Sequence, residues 1–296
     1  MTRTPPVDRR LELDDGRAIG YVTWGDPEGK PVLIGHGTPG SRLALAPGLD
    51  DPEWIRRQRL LFVGVDRPGY GYSDPWAEAS LLDCAGDLVR VADALGLEHF
   101  WALGFSGGAP YVLALGVLVP ERLGGVAVVS GLGMLDRPGA LEGMSEADVE
   151  DTRMAREAPD ELATARGEAA RAIDEDPEDI LAGLSEELPE LDRRALERTE
   201  VRAFLIETFR EALRQGATGW VDDELRQVRP WPFRLEEISG VDVHLHHGEA
   251  DVWVPAHHAK HLAEGIPGSR LQLYPEEGHL SFDKHLKEIV RTLLAP

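Results

Sequence analysis

Ser106 stands in Gly104-Phe105-Ser106-Gly107-Gly108, directly after the apolar run FWALGF and directly before a segment with helical spacing of apolar residues. A Gly-x-Ser-x-Gly pentapeptide arises often by chance, so its context carries the information. A strand that turns this sharply into a helix needs small residues around the central one, which then sits in a strained backbone conformation above the sheet edge. Gly104, Gly107 and Gly108 supply that room. The helix N-terminus offers backbone N–H groups to a developing anion. A serine hydroxyl placed there can attack a carbonyl if a base takes its proton and a carboxylate orients the base. The tetrahedral oxyanion needs two donors. His36-Gly37-Thr38-Pro39-Gly40-Ser41 follows the apolar run PVLI, so a second N–H can be aimed at the same space. The expected oxyanion donors are the backbone N–H groups of Thr38 and Gly107. His36 itself reads as a structural imidazole bonded to nearby backbone.

The elements that must hold these groups alternate along the first half of the chain. Arg10–Leu13 and Ala18–Thr23 flank the turn signal Asp14-Asp15-Gly16 and predict a hairpin. Pro31–Ile34, Leu60–Val65, Phe100–Phe105 and Val126–Ser130 read as short buried strands, with helical patterns over Ala79–Leu95 and Ala109–Val119. Strands alternating with helices imply right-handed crossovers and a mostly parallel sheet. The pattern resumes at Val241–His246 and Leu271–Tyr274, and Ser281–Leu294 predicts a closing helix. Residues 134–230 differ. They hold no convincing strand and no lysine, are rich in Glu, Asp, Arg and Ala, and are broken by Pro159, Pro177 and Pro189. They predict several short helices, with Leu196–Leu213 the longest. The strands on either side need one another to close one sheet. The expected organisation is therefore a core of residues 1–133 and 231–296, with a helical cap of residues 134–230 over the carboxyl edge of the strands.

Composition narrows the function classes. The chain has 296 residues, 42% of them hydrophobic and 28% charged, which suits one large α/β domain with an insertion or two small domains. A formal net charge of −22 repels phosphate backbones and anionic lipid surfaces, so no nucleic acid and no membrane partner is expected. No apolar run approaches the ~18 residues of a spanning helix. Met1–Arg10 is polar and lacks the apolar centre of a signal peptide. The single cysteine, Cys84, allows no internal disulfide and is expected to be inert. A cytoplasmic monomer or homodimer acting on a small-molecule substrate is the expectation.

The order of motifs resembles the α/β-hydrolase fold family, in its capped branch of esterases, lactonases, C–C hydrolases and proline iminopeptidases. The matching elements are HGTPGS at 36–41, DRPGYGYSD at 66–74, GFSGG at 104–108, GEADVWVP at 248–255 and EEGHLSF at 276–282. Only the cap lacks a signature. The resemblance implies an eight-stranded, mostly parallel sheet flanked by helices. It assigns the acid to the Gly-x-x-Asp pattern, hence Asp251 rather than its neighbour Glu249, and the base to His279. Histidine suits the role because its proton affinity lies near working pH. The chain order Ser, Asp, His is the one this fold uses. Serine at the elbow sets the chain apart from the haloalkane dehalogenases and most epoxide hydrolases of this fold, which use aspartate there. In DRPGYGYS, Asp66 and Arg67 are expected to tie loops together.

The implied activity is hydrolysis of an ester, lactone or related acyl bond through an acyl-enzyme, with no metal and no organic cofactor. Two alternatives stay open. HGTPGS lies near the HGGPG of proline iminopeptidases, whose cap carboxylates hold a substrate amine. A small-molecule receptor that keeps the triad is the alternative from a different class. Cofactor-free peroxidation is a minor third. Of the ten histidines, His257 and His261 have a spacing open to zinc, but nothing completes a set. Phe105, Trp76, Trp220 and Trp253 are the candidate pocket walls. Phe204, Phe209, Trp231 and Phe233 are further candidates that read more readily as core.

Overall fold

The chain is described by a computed structural model over residues 7–295. The first six residues of the polar segment Met1–Arg10 lie outside the described residues. The sheet is built from β1 (Val7–Glu12), β2 (Ala18–Gly25), β3 (Lys30–Gly35), β4 (Leu60–Val65), β5 (Phe100–Phe105), β6 (Leu123–Val129), β7 (Val243–Gly248) and β8 (Arg270–Tyr274). Their spatial order is β1-β2-β4-β3-β5-β6-β7-β8. The β1–β2 hairpin forms as expected, with Leu11 opposite Ile19. β2 also pairs antiparallel with β4, and all remaining pairs are parallel.

Central strands are largely apolar because helices cover both faces. All six residues of β4 (LLFVGV) are buried. Their side chains alternate between two cores. Leu33, Leu61 and Val63 point to one, with α2 (Leu81–Ala94), α3 (Ala109–Leu118) and α10 (His257–Gly265). Val32, Ile34, Leu60 and Phe62 point to the other, with α1 (Pro52–Gln58) and α11 (Leu286–Leu293). Trp231 and Phe233 belong to the first core and take no part in a pocket. The expected closing helix begins differently: Ser281–His285 is a 3-10 turn, and α11 follows it.

Between β6 and β7 run six helices: α4 (Glu146–Glu157), α5 (Pro159–Glu175), α6 (Pro177–Glu187), α7 (Glu190–Glu197), α8 (Thr199–Ala212) and α9 (Thr218–Gln227). The prolines act as start signals, since a ring at the first helical position costs no hydrogen bond. Pro159 and Pro177 open α5 and α6, and Pro189 is the N-cap of α7. The expected single helix over Leu196–Leu213 is incorrect. Arg198 is extended (φ −72°, ψ 126°) and separates α7 from α8, while its guanidinium bonds Asp283 at 2.9 Å. The longest helix is instead α5, with 17 residues. Among the described residues, no helix is long and apolar enough to cross a membrane.

Candidate active site

β5 delivers Ser106 to the carboxyl edge of the sheet with φ +52°, the left-handed region that non-glycine residues rarely enter. The neighbouring glycines are required by close approach. A Cβ on Gly104 would meet Val112 Cγ2 at 2.4 Å, and one on Gly108 would meet Gly35 O at 2.2 Å. α3 begins at once, at Ala109. Gly107 and Thr38 come together over the elbow: a Cβ on Gly107 would lie 2.3 Å from Thr38 Oγ1. No hydrogen bond among the described residues occupies the Thr38 or Gly107 N–H.

Asp251 sits in the turn after β7. Its Oδ1 accepts from the N–H groups of Trp253 (3.0 Å) and Val254 (2.9 Å), and its Oδ2 lies 2.8 Å from His279 Nδ1. His247, on β7, approaches the same Oδ2 at 3.5 Å. Burial pushes the Asp251 carboxyl up, but the charge and hydrogen bonds of the two imidazoles outweigh it and hold it well below the usual carboxylate range. Burial likewise opposes the His279 imidazolium, and Asp251 more than offsets this, leaving the His279 pKa raised. The rival Glu249 is exposed. The His279 ring packs edge-on against Phe105 (5.0 Å) and Trp253 (5.1 Å).

Ser106, His279, Thr38, Gly107, Phe105, Trp220 and Trp253 all line one cavity of about 530 Å³ beneath the helical segment. Ser106 and His279 make no hydrogen bond to each other here. Catalytic contacts commonly tighten only around substrate. Much of the wall is apolar, with Ile173, Leu184, Val201, Phe204 and Phe209 contributed by α5, α6 and α8. One patch is polar. Arg166 bonds Asp151 (2.5 Å) and Glu224 (2.8 Å) and stacks on Trp220, with Asp148 nearby on the wall. Trp76 is a correction. It stays outside the cavity, half-buried, with the Arg17 guanidinium 3.8 Å from its ring centre. Its side chain packs against the first core instead of reaching the cavity.

The helical segment also supplies residues that carried no signal in the sequence. Asp223 of α9 is fully buried. It accepts from Thr38 Oγ1 (2.7 Å), Arg67 (2.7 Å), Tyr70 OH (3.3 Å), Arg226 (3.3 Å) and Tyr111 OH. Gln227 donates to Thr38 Oγ1 (2.9 Å) and Gly107 O (3.3 Å). Asp192 of α7, also fully buried, accepts from the backbone of residues 279–281. His36 is structural as expected, its Nδ1 on Gly37 O and its Nε2 accepting from Arg67 N. Asp66 ties loops as expected, accepting from the N–H groups of Arg42 and Tyr72, whereas Arg67 reaches farther, to α9. Cys84 is buried, and its thiol is pushed up to about 12 by desolvation. Among the described residues, no three His, Cys, Asp or Glu side chains are grouped to hold a metal ion.

The chain is similar to the proline iminopeptidase of Xanthomonas citri, 27% identical over 95% of this chain and 93% of that one. It is also similar to the AB hydrolase superfamily protein YisY of Bacillus subtilis, 25% identical over 90% of this chain and 91% of that one. Among solved structures, it shares its fold with a hydrolase from Pseudomonas aeruginosa (TM-score 0.69, 19% identity, 98% of each chain covered). The same holds for a thermophilic esterase from Thermogutta terrifontis (TM-score 0.66, 20% identity, 99% and 100% covered). Residues 30–286 match the alpha/beta hydrolase fold family, and with the elbow, the sheet order and these relatives the chain is a hydrolase belonging to that family.

Proposed function

We propose that the chain is a serine hydrolase of small, uncharged acyl substrates, esters or lactones, with residues 134–230 acting as a cap over a core of 1–133 and 231–296. The observation that carries this reading is the shared cavity. Ser106, in its left-handed elbow, and His279, held 2.8 Å from Asp251, line the same pocket. Ser106 Oγ attacks the carbonyl carbon and its proton passes to His279 Nε2. The oxyanion is held by the Thr38 and Gly107 N–H groups, and Asp251 stabilises the imidazolium. Collapse expels the leaving group, which takes the proton from His279, and water then releases the acyl group by the same steps. The apolar wall favours apolar acyl groups. Arg166 is already neutralised by Asp151 and Glu224, so it offers no free cation to a carboxylate substrate.

A fluorophosphonate is expected to label Ser106 and no other residue. Ser106→Ala should lower turnover of a p-nitrophenyl ester by about 10⁴-fold or more with the melting temperature unchanged. Full activity in that variant would overturn the assignment. One observation favours a second reading, hydrolysis of aminoacyl amides. Four carboxylates, Asp148, Asp151, Glu224 and Asp283, line the cavity with a single arginine, and the relative from Xanthomonas citri is a proline iminopeptidase. Faster turnover of proline amides than of neutral esters would select it.

A further inference from the structure

The segment carrying His279 begins a short helix, and its first N–H groups have no intrahelical partner. A side chain at the N-cap ordinarily satisfies them. Here the N-cap residue is Leu280, which has no acceptor to offer. The acceptor comes instead from across the cavity roof. Asp192 Oδ2 lies 2.6 Å from the N–H of His279 itself, and Asp192 Oδ1 takes the N–H groups of Leu280 (3.0 Å) and Ser281 (2.9 Å). Gly278 completes the fit. The three nearest atoms to a Cβ placed there are all in the Asp192 carboxylate, the closest at 2.2 Å. Gly278 N–H turns the other way, to Ser281 Oγ at 2.8 Å. From the far end of α7, Arg198 holds Asp283 at 2.9 Å. One cap helix therefore grips the histidine segment at both ends.

We propose that Asp192 is a positioning residue for the reaction, seating His279 only while α7 lies against the core, so that closing the cap and assembling the triad are one event. The inference rests on the serine hydrolase reading above. Its physical basis is that the three N–H groups cannot go unpaired in a buried place without cost. If α7 lifts, the loop must find other partners, and His279 moves with it. The carboxylate also adds negative charge beside the imidazolium that forms during the reaction, and it raises the His279 pKa behind Asp251, as does Asp148 from α4. A merely structural carboxylate would alter neither the imidazole titration nor kcat alone.

The test uses the full chain, a neutral p-nitrophenyl ester and a fluorophosphonate that counts active sites, so that rates are per competent Ser106 and loss of folded protein does not enter. Asp192→Asn keeps the shape but loses the charge and one acceptor. It should lower kcat by about 10- to 100-fold, the scale of a small misplacement of a catalytic group, with KM held within about twofold. The acid limb of its kcat/KM profile should move to lower pH, because the imidazolium has lost a stabilising charge. Gly278→Ala pushes the carboxylate away while keeping its charge. It should lower kcat similarly without that downward shift, and on an Asp192→Ala background, where the space is open, it should cost little more. Unchanged kcat per titrated site in both variants, or an unmoved acid limb in Asp192→Asn, would overturn the proposal while leaving the triad standing. Failure of the wild-type chain to label at Ser106 would overturn the hydrolase reading and this inference with it.

Discussion

Helices α7 and α9, both inserted between β6 and β7, each reach the carboxyl edge of the sheet with a buried aspartate, but the aspartates meet different partners. Asp223 of α9 enters an ion network, with Arg67 at 2.7 Å, Arg226 at 3.3 Å and the hydroxyls of Thr38, Tyr70 and Tyr111 around it. Burial pushes its carboxyl up, and the two guanidinium groups reverse this and leave it lowered. Asp192 of α7 meets only backbone N–H groups, and no cation pairs with it among the described residues. Lifting α9 therefore separates Asp223 from the buried Arg67, whereas lifting α7 leaves one carboxylate and three neutral donors unpaired and breaks the partly exposed Arg198–Asp283 pair. In the proposed mechanism the loop carrying Thr38 therefore lies against the more firmly braced helix, α9, and His279 against α7.

The largest effect expected from breaking this contrast is on stability, at α9. Asp223→Asn leaves Arg67 and Arg226 buried without a counter-charge, and breaking a buried pair in this way costs about 3–5 kcal/mol. For a chain of this size that lowers the melting temperature by about 6–20 °C, at roughly 2–4 °C per kcal/mol, measurable by thermal unfolding. The acid limb of kcat/KM should move less than in Asp192→Asn, because Asp223 bonds none of the 278–281 backbone. In the wild-type chain that limb should lie above the ordinary imidazole value. His279 must be neutral to accept the serine proton, and its pKa is raised. A variant at 223 that melts normally yet turns over 100-fold more slowly would reverse the roles given to the two helices.

A smaller effect should follow from Gln227→Ala on the same helix. Its amide joins Thr38 Oγ1 to Gly107 O, the two residues whose N–H groups face the oxyanion in the proposed mechanism. Thr38 Oγ1 keeps Asp223 and Arg67 as partners. The loop should therefore stay in place, with about 1 kcal/mol lost for one hydrogen bond. Active-site titration with steady-state kinetics should show kcat reduced by about 3- to 10-fold and KM unchanged. A rise in KM alone would place Gln227 against the substrate rather than under the loop.

The residues of the core half of the site were legible in the sequence because each follows a strand within a few positions. Ser106, Asp251 and His279 carry local patterns of glycine and apolar runs that a turn at a sheet edge requires. The half contributed by the helices between β6 and β7 was not legible, and the reason is separation. Asp192 lies 87 residues from His279, and Asp223 lies 185 from Thr38. Within Glu190–Glu197 the sequence ELDRRALE reads as a solvated charged helix, with nothing to mark one acid as buried. The α7–α8 break was hidden for a related reason. Leu196 precedes the 4-residue spacing of Val201, Leu205 and Phe209 by 5 residues, near enough to a helical step to mask the break at Arg198, and both helices turn apolar faces inward. Trp76 shows the converse error: proximity in sequence to an active-edge loop did not place its ring at that edge.

The smallest expected effect sharpens the view of α9 from its other face, where Glu224 lines the cavity one residue beyond Asp223. Burial raises its carboxyl to about 7, outweighing the hydrogen bonds from Arg166 and Trp220. Below that pH the group is largely neutral. Above it, ionisation adds one negative charge to a wall that already holds Asp148 and Asp151 against Arg166, with Asp283 paired to Arg198. A cationic aminoacyl substrate should therefore bind more tightly as pH rises through about 7. The gain should be about 3- to 5-fold in KM, the size of one partly solvated charge pair of about 1 kcal/mol. A neutral ester of similar size should show no such trend, which separates Glu224 from the titration of His279, since the latter acts on both substrates alike. Glu224→Gln should flatten the dependence for the cationic substrate and leave the neutral one as it was. A trend that survives in Glu224→Gln would assign it to Asp148, whose carboxyl is also raised by burial and which lies within electrostatic reach of His279. The cationic selectivity would then come from the α4 side of the cavity, and α9 would be left with the bracing role alone.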